Sequence, residues 1–240
     1  GAETLNIYRK GIIFGEKTEV LYVPSLDYNI FLEMKLPKSR NEANPANAVY
    51  LDIGILNFNG DYLTLEQDSD MNIATIIGGI NRKKQCSNLR NFFNKVEKET
   101  GCIVNIAAHP GYDGSSYPDE FGKRLVIVDK TIEMIGRSNF VMSHCSTAVG
   151  FAVIFRKPII FLTLNQDEEL VREKNPEIEQ MASWFGKIPI DIDHLIDVDW
   201  DKELKINEDL YLNYKNSFLI AKGTEEINSW QIVANRLKLM

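Results

Sequence analysis

The chain has 240 residues, of which 44% are hydrophobic, so it can bury a core of ordinary size. Its formal net charge of −7 argues against a general nucleic-acid-binding protein, because phosphate backbones require Lys and Arg concentrated on one face. Three cysteines without metal-like spacing predict a reducing compartment and argue against a disulfide framework or a zinc site. No apolar run approaches the roughly 18 residues of a membrane span, and the first residues lack a signal-peptide pattern, so we expect a cytoplasmic protein.

The first 46 residues do not fit the alternation of strands and helices that follows them. Their apolar runs Val20–Pro24 and Tyr28–Leu32 are interpreted as part of a hairpin or an irregular connection. The polar, turn-prone run Asn41–Asn47 marks a domain boundary. We therefore predict that residues 1–46 are a leader or linker, the tail of an amino-terminal domain that this chain lacks.

From Asn47 onward, strand-like apolar runs alternate with helical periodicity. This pattern predicts an α/β fold with a doubly wound, mostly parallel, Rossmann-like sheet. The predicted strands are Ala48–Ile53, Ile103–Ala108, Leu125–Val128, Phe140–Met142, Ile159–Thr163 and Ile188–Ile192. The predicted helices are Ser87–Glu99, Thr131–Ile135, Ala148–Phe155, Asp167–Trp184 and a pair within Glu208–Leu239 that restarts at Thr224. The Rossmann-like domain thus covers residues 47–205, and the helices of 206–240 pack on it.

Hydroxyl groups gather after the predicted strand Phe140–Met142, at the end where open parallel sheets place their ligands. Ser143, Ser146 and Thr147 lie there, and Ser146 or Thr147 is the candidate N-cap of the next helix. The free N–H groups of a helix start can bind an anion, so the segment predicts a phosphate-binding site. An ordinary N-cap without a ligand explains the same hydroxyls. A thiol nucleophile at Cys145 is disfavoured, because the adjacent His144 would point to the opposite face.

Two further groups are predicted at the same edge of the sheet. His109 ends the strand Ile103–Ala108, and Pro110 forces the chain out of that strand. Its imidazole can donate to a phosphate oxygen and stabilise a departing phosphate, although a structural histidine at a turn is the alternative. Asp167 and Glu168 follow the next strand, where a carboxylate can bind ribose hydroxyls or merely stabilise a helix start.

Two short basic clusters are weaker candidates. Lys123 and Arg124 precede a short strand, which places them at the opposite edge of a parallel sheet, and they are retained as possible phosphate or sugar contacts. The run Asn81–Gln85 is interpreted as solvated loop charge. The chain has no metal-binding motif, no Gly-x-Gly-x-x-Gly turn and no Walker-type loop, so we predict no metal and no cofactor.

Several motifs together resemble the carboxyl-terminal, donor-binding half of GT-B glycosyltransferases that build bacterial capsule and lipopolysaccharide. These motifs are Tyr50–Asp52, Ala108–Pro110, Phe121–Arg124, Thr131–Ile135, Ser143–Ala148 and Lys157–Phe161. The resemblance covers roughly residues 48–163. Within the superfamily, the His-Pro and Ser-Thr pairs look most like the sets that use cytidine nucleotides.

The resemblance implies inverting, metal-independent sugar transfer from a nucleotide-sugar donor, with CMP or CDP donors favoured over UDP. It implies that His109, Ser146 and Thr147 hold the donor phosphate and that a missing amino-terminal domain brings a glycan or lipid-linked acceptor. Peripheral contact with the inner face of the cell membrane would then occur through that domain. A nucleotide-sugar epimerase and a non-catalytic nucleotide-binding or assembly module are the alternatives.

Overall fold

A computed structural model describes residues 19–34, 46–53, 82–110, 112, 121–163, 175–195 and 197–239. Five parallel strands form one sheet in the order β3-β2-β1-β4-β5. The strands are β1 (Asn47–Leu51), β2 (Ile103–Ala107), β3 (Val126–Ile127), β4 (Phe140–Ser143) and β5 (Ile159–Phe161). The predicted parallel, Rossmann-like α/β sheet is confirmed at this level.

Strand β1 is the centre of the sheet. It pairs with β2 on one side and with β4 on the other, so that Tyr50 lies between Ile106 and Met142. The predicted sixth strand, Ile188–Ile192, is reduced to a single parallel bridge between Ile190 and Leu162. The sheet therefore continues past β5 by only one residue pair in the described part of the chain.

Helices flank this sheet. They are α1 (Leu26–Glu33), α2 (Arg82–Thr100), α3 (Thr131–Arg137), α4 (Val149–Ile154), α5 (Asn175–Ser183), α6 (Trp200–Glu203), α7 (Glu208–Tyr214) and α8 (Ser229–Leu237). A π-helical turn, Lys215–Leu219, directly continues α7.

Side chains of β1 alternate between two buried clusters, one on each face of the sheet. Val49 and Leu51 pack with residues of α3, α4, α5 and α7, whereas Ala48 and Tyr50 pack with residues of α2. The α2 face is aromatic: the rings of Tyr50 and Phe93 are 5.1 Å apart. Because both faces are covered, the strands are continuous apolar runs, as is typical of parallel sheets.

Helix α1 corrects the interpretation of residues 26–33 as a hairpin or irregular connection. Ser25 caps the helix by accepting a hydrogen bond from the main-chain N–H of Tyr28 (3.2 Å). Tyr28 is buried in the core, and Phe31 meets Phe155 edge to face at 5.6 Å. Packing against α4 therefore outweighs the ambiguous apolar pattern of this segment.

Two helix starts differ from the predictions. Helix α2 begins at Arg82 rather than Ser87, so the basic run after Asn81 forms a helical turn and not a loop. Helix α8 begins at Ser229 rather than Thr224, because Asn228 accepts from the main-chain N–H of Trp230 (2.9 Å) and caps it. Among the described helices, none is long and apolar enough to cross a membrane.

Candidate functional site

The strand order reverses between β1 and β4. From β1 the chain passes to β2 on one side, whereas from β3 it crosses to β4 on the other side of β1. In open α/β sheets, ligands bind outside the carboxyl ends of the strands where the order reverses in this way. We call this region the switch-point corner, defined by Asp52 after β1, His109 after β2, and Ser143–Thr147 at the end of β4.

The β4–α4 turn is held by its own hydroxyl groups. Ser143 Oγ accepts from the main-chain N–H of Ser146 (3.2 Å), and Ser146 Oγ accepts from that of Ala148 (3.2 Å). Ser143 is fully buried, Ser146 is partly buried and Thr147 is exposed. The Ser146 and Thr147 hydroxyl groups are thus the ones that a ligand can reach, and a hydroxyl that accepts one bond can still donate its hydrogen.

The start of α4 lies one residue later than predicted. Its N-cap is Ala148, which makes no side-chain cap, so the prediction of Ser146 or Thr147 as the N-cap residue was wrong. Before the helix, the main-chain carbonyls of Ser146 and Thr147 already accept from the N–H groups of Val149 and Gly150 (3.2 and 3.1 Å). In this tight turn the main-chain N–H of Ala148 donates to the Ser146 hydroxyl. Ser146 therefore caps the turn that precedes the helix, and not the helix itself.

His109 is exposed on a main chain that is fixed on both sides. Its N–H donates to Asp52 Oδ2 (3.2 Å), and its carbonyl accepts from the N–H of Tyr112 (2.8 Å). The exposed imidazole thus belongs to a residue of the switch-point corner at the carboxyl end of β2, and its predicted contact with a phosphate group stays a prediction. Asp52, which had no predicted role, is only 7% exposed there. A carboxylate directly after the buried run Ala48–Leu51, at the carboxyl end of a strand, was the signal that could have identified it.

His144 is buried behind the same turn. Its Nδ1 lies 2.8 Å from the carbonyl oxygen of Leu162, and because a carbonyl can only accept, Nδ1 carries the hydrogen. The ring is 1% exposed and meets the Tyr50 ring edge to face at 5.8 Å. Burial lowers the pKa of His144 to about 4, and the Leu162 carbonyl opposes this only in part. The imidazole is therefore neutral at pH 7 and joins the ends of β4 and β5.

The basic pair lies elsewhere. Lys123 and Arg124 precede β3, at the amino edge of the sheet, away from the switch-point corner. The Arg124 guanidinium forms a double hydrogen bond with the Glu97 carboxylate (3.0 and 2.7 Å) and also donates to Asn94 Oδ1. Arg124 thus connects β3 to α2. Asp167 and Glu168 lie outside the described residues, so their predicted position stays a prediction.

Two open grooves lie away from this corner. One of about 530 Å³ is lined by Tyr22, Ile232 and the turn 221–225, and one of about 500 Å³ by residues 185–188, 202–203 and 205–208. Neither brings together polar groups from the carboxyl ends of neighbouring strands. Within the described ranges, no group of three His, Cys, Asp or Glu side chains is arranged to hold a metal ion. The switch-point corner is therefore the candidate functional site.

No protein-family model matches the chain, and the search of curated proteins found no match. The fold and the site define the class of the protein. It is an α/β protein with a parallel, Rossmann-like sheet and polar groups at the switch point of that sheet.

Proposed function

We propose that this chain is the nucleotide-sugar donor-binding domain of an inverting, metal-independent GT-B glycosyltransferase that builds a bacterial surface polysaccharide. The donor is a CMP- or CDP-sugar, and the acceptor is a glycan or a lipid-linked molecule. The reaction would take place in the cytoplasm, at the inner face of the membrane where such an acceptor is held. The motif resemblance over residues 48–163 supports the family, and the geometry of the corner supports the ligand class.

One observation carries the ligand class: the exposed His109 imidazole and the accessible hydroxyls of Ser146 and Thr147 follow the two strands that flank β1. Strands β2 and β4 are two positions apart, about 10 Å, which side chains from both ends can bridge to one phosphate group. All three side chains can donate hydrogen bonds, and phosphate oxygens only accept them. A phosphorylated ligand is therefore the chemistry that fits the corner.

In this proposal the corner stabilises the leaving nucleotide. When the acceptor hydroxyl loses its proton to a base outside this domain and displaces the nucleotide from the anomeric carbon, the electrons of the broken carbon–oxygen bond pass to a phosphate oxygen, which gains negative charge. His109 is the catalytic residue here, because its imidazole donates to that oxygen, while Ser146 and Thr147 donate to the same phosphate. Such donors are already in place before the reaction, so they favour the transition state over the intact donor.

The test is a calorimetric and thermal-shift titration with CMP, CDP, UDP and GDP. Loss of a charged hydrogen bond costs about 1.5–3 kcal/mol, so His109→Ala should weaken binding of the preferred nucleotide roughly 10- to 100-fold. Thr147→Val should weaken it less, because it removes a neutral donor from an exposed side chain.

The matched control is His194→Ala. The His194 side chain is 73% exposed and hydrogen bonds to Asp191, in the segment that follows the Ile190 bridge rather than β1, β2 or β4. This variant should bind like the wild type. Failure of all four nucleotides to bind the folded chain would refute the donor-site proposal. Binding that His109→Ala does not change would place the nucleotide elsewhere. Binding without turnover of the matching nucleotide-sugar, even with acceptor, would favour the non-catalytic module.

A further inference from the structure

The β1–β2 ladder ends in an unusual exchange of acceptors. The main-chain N–H of Asp52 donates to the carbonyl of Ala107 (3.0 Å), which continues the parallel pairing past Leu51. In a regular parallel ladder the next bond would run from the N–H of His109 to the main-chain carbonyl of Asp52. Here that N–H donates to Asp52 Oδ2 (3.2 Å). The side chain of Asp52 thus takes the place of its own carbonyl.

This hydrogen bond is one of three constraints on the main chain of His109, a residue whose side chain is exposed. Pro110 restricts the backbone of His109 to extended conformations. The N–H of Tyr112 donates to the His109 carbonyl (2.8 Å) and closes the turn on the other side. Asp52 supplies the third constraint through a carboxyl group that is only 7% exposed. An exposed imidazole on an immobilised main chain is the arrangement of a preorganised binding group.

We propose that Asp52 is a positioning residue for His109: its carboxyl oxygen fixes the main chain that carries the imidazole over the switch-point corner. The inference rests on the proposed function, because it assigns Asp52 a task in binding the donor phosphate. The hydrogen-bond acceptor is what matters, and the negative charge is not required. Asn keeps a side-chain oxygen in nearly the same place, so Asp52→Asn should preserve the function that Asp52→Ala removes.

The first measurement is independent of any ligand. Amide hydrogen exchange at His109 should accelerate about fivefold in Asp52→Ala, since one hydrogen bond of average strength is lost, and should stay within about twofold of wild type in Asp52→Asn. The control is Thr163→Val, which replaces a buried hydroxyl two residues beyond β5 by a methyl group and leaves the hydrogen bond between Asp52 and His109 in place. It should leave this exchange rate unchanged.

The second measurement is CMP affinity in a double-mutant cycle. Asp52→Ala should weaken CMP binding about tenfold, Asp52→Asn about twofold or less, and Asp52→Ala should add nothing further to His109→Ala. A residue acting only through His109 requires this non-additivity. A merely structural role would instead lower affinity in both backgrounds.

The outcomes separate the two proposals. If wild type does not bind CMP, the donor-site proposal fails for this probe, and amide exchange alone decides whether Asp52 holds His109. Unchanged exchange in Asp52→Ala would overturn the positioning role. Equal loss of CMP affinity in Asp52→Asn and Asp52→Ala, or additive losses with His109→Ala, would also overturn it, because either result requires a role for the charge or a direct contact with the ligand.

Discussion

The buried imidazole of His144 makes the stability of this protein depend on pH in a defined window. Protonation would place a positive charge beside the Tyr50 ring, in a site from which solvent is excluded. The folded chain therefore resists protonation until the pH approaches 4, whereas an unfolded histidine takes up a proton near pH 6.5. Above pH 6.5 both states are neutral at this group, and its full contribution to stability is present.

The sign and the magnitude follow from these two pKa values. Between pH 6.5 and pH 4 the unfolded state binds more protons at this position, so the free energy of unfolding falls as the pH falls. The difference of about 2.5 pKa units corresponds to a total loss of about 3 kcal/mol, of which about 2 kcal/mol is lost by pH 5. Below pH 4 this group causes no further loss.

The assay is urea unfolding of wild type and His144→Gln at pH 7.5 and pH 5. The variant should be less stable at pH 7.5, but the difference between the two proteins should shrink by about 2 kcal/mol at pH 5, because Gln does not titrate. Subtracting the free energy of unfolding of one protein from that of the other at each pH cancels the contribution of the carboxyl groups, because these titrate in both proteins. In parallel, the His144 ring signal in NMR should keep its neutral shift until the pH approaches 4. Equal pH dependence in both proteins, or a ring that titrates near pH 6.5, would refute the reasoning.

Two further predictions concern the amino edge of the sheet, away from the site. Arg124→Gln should lower the free energy of unfolding by about 2 kcal/mol, since it breaks two hydrogen bonds to the Glu97 carboxylate. The Arg124 side chain that makes them is only 10% exposed. Arg156→Gln, which removes an ion pair whose side chains are 68% and 57% exposed, should change it by less than about 0.5 kcal/mol. Equal effects in denaturant titrations would contradict this ranking. Gly101→Ala should cost about 1 kcal/mol, because φ is +70° and the added methyl meets no other atom within 4 Å, so only backbone strain acts. Gly101→Asn should cost less in the same titration, and the opposite order would show that packing controls this position.

Much of the sheet could be predicted because parallel strands covered on both faces are continuous apolar runs. The run Phe140–Met142 and the run after Pro158 indicate strands without knowledge of any partner. The placement of β1 between β2 and β4 could not be read in the same way, because this order depends on contacts between residues about 90 positions apart. Helix α1 was missed for a similar reason: its pattern is weak, and packing against α4 determines its conformation.

The candidate site could be predicted as far as the edge of the sheet on which it lies. A histidine before a proline and hydroxyls after an apolar strand both indicate the carboxyl edge, and His109 and Thr147 are exposed there. The difference between Ser143, which is buried, and Ser146, which is accessible, depends on how the turn folds back on itself. The link from Asp52 to His109 joins residues 57 positions apart, so local sequence contains no sign of it.

The central position of β1 has a consequence for the order in which a ribosome delivers the chain. Of the five described strands it is made first, yet its two neighbours begin at Ile103 and Phe140, and closing the loop to the second costs about 4 kcal/mol of chain entropy beyond a constant. Until Phe140–Ser143 has left the exit tunnel, one edge of this largely buried strand has no partner, and unpaired edges of this kind promote aggregation. Nascent chains halted before Phe140 should therefore depend on chaperones, whereas chains halted after β5 should already protect the sheet.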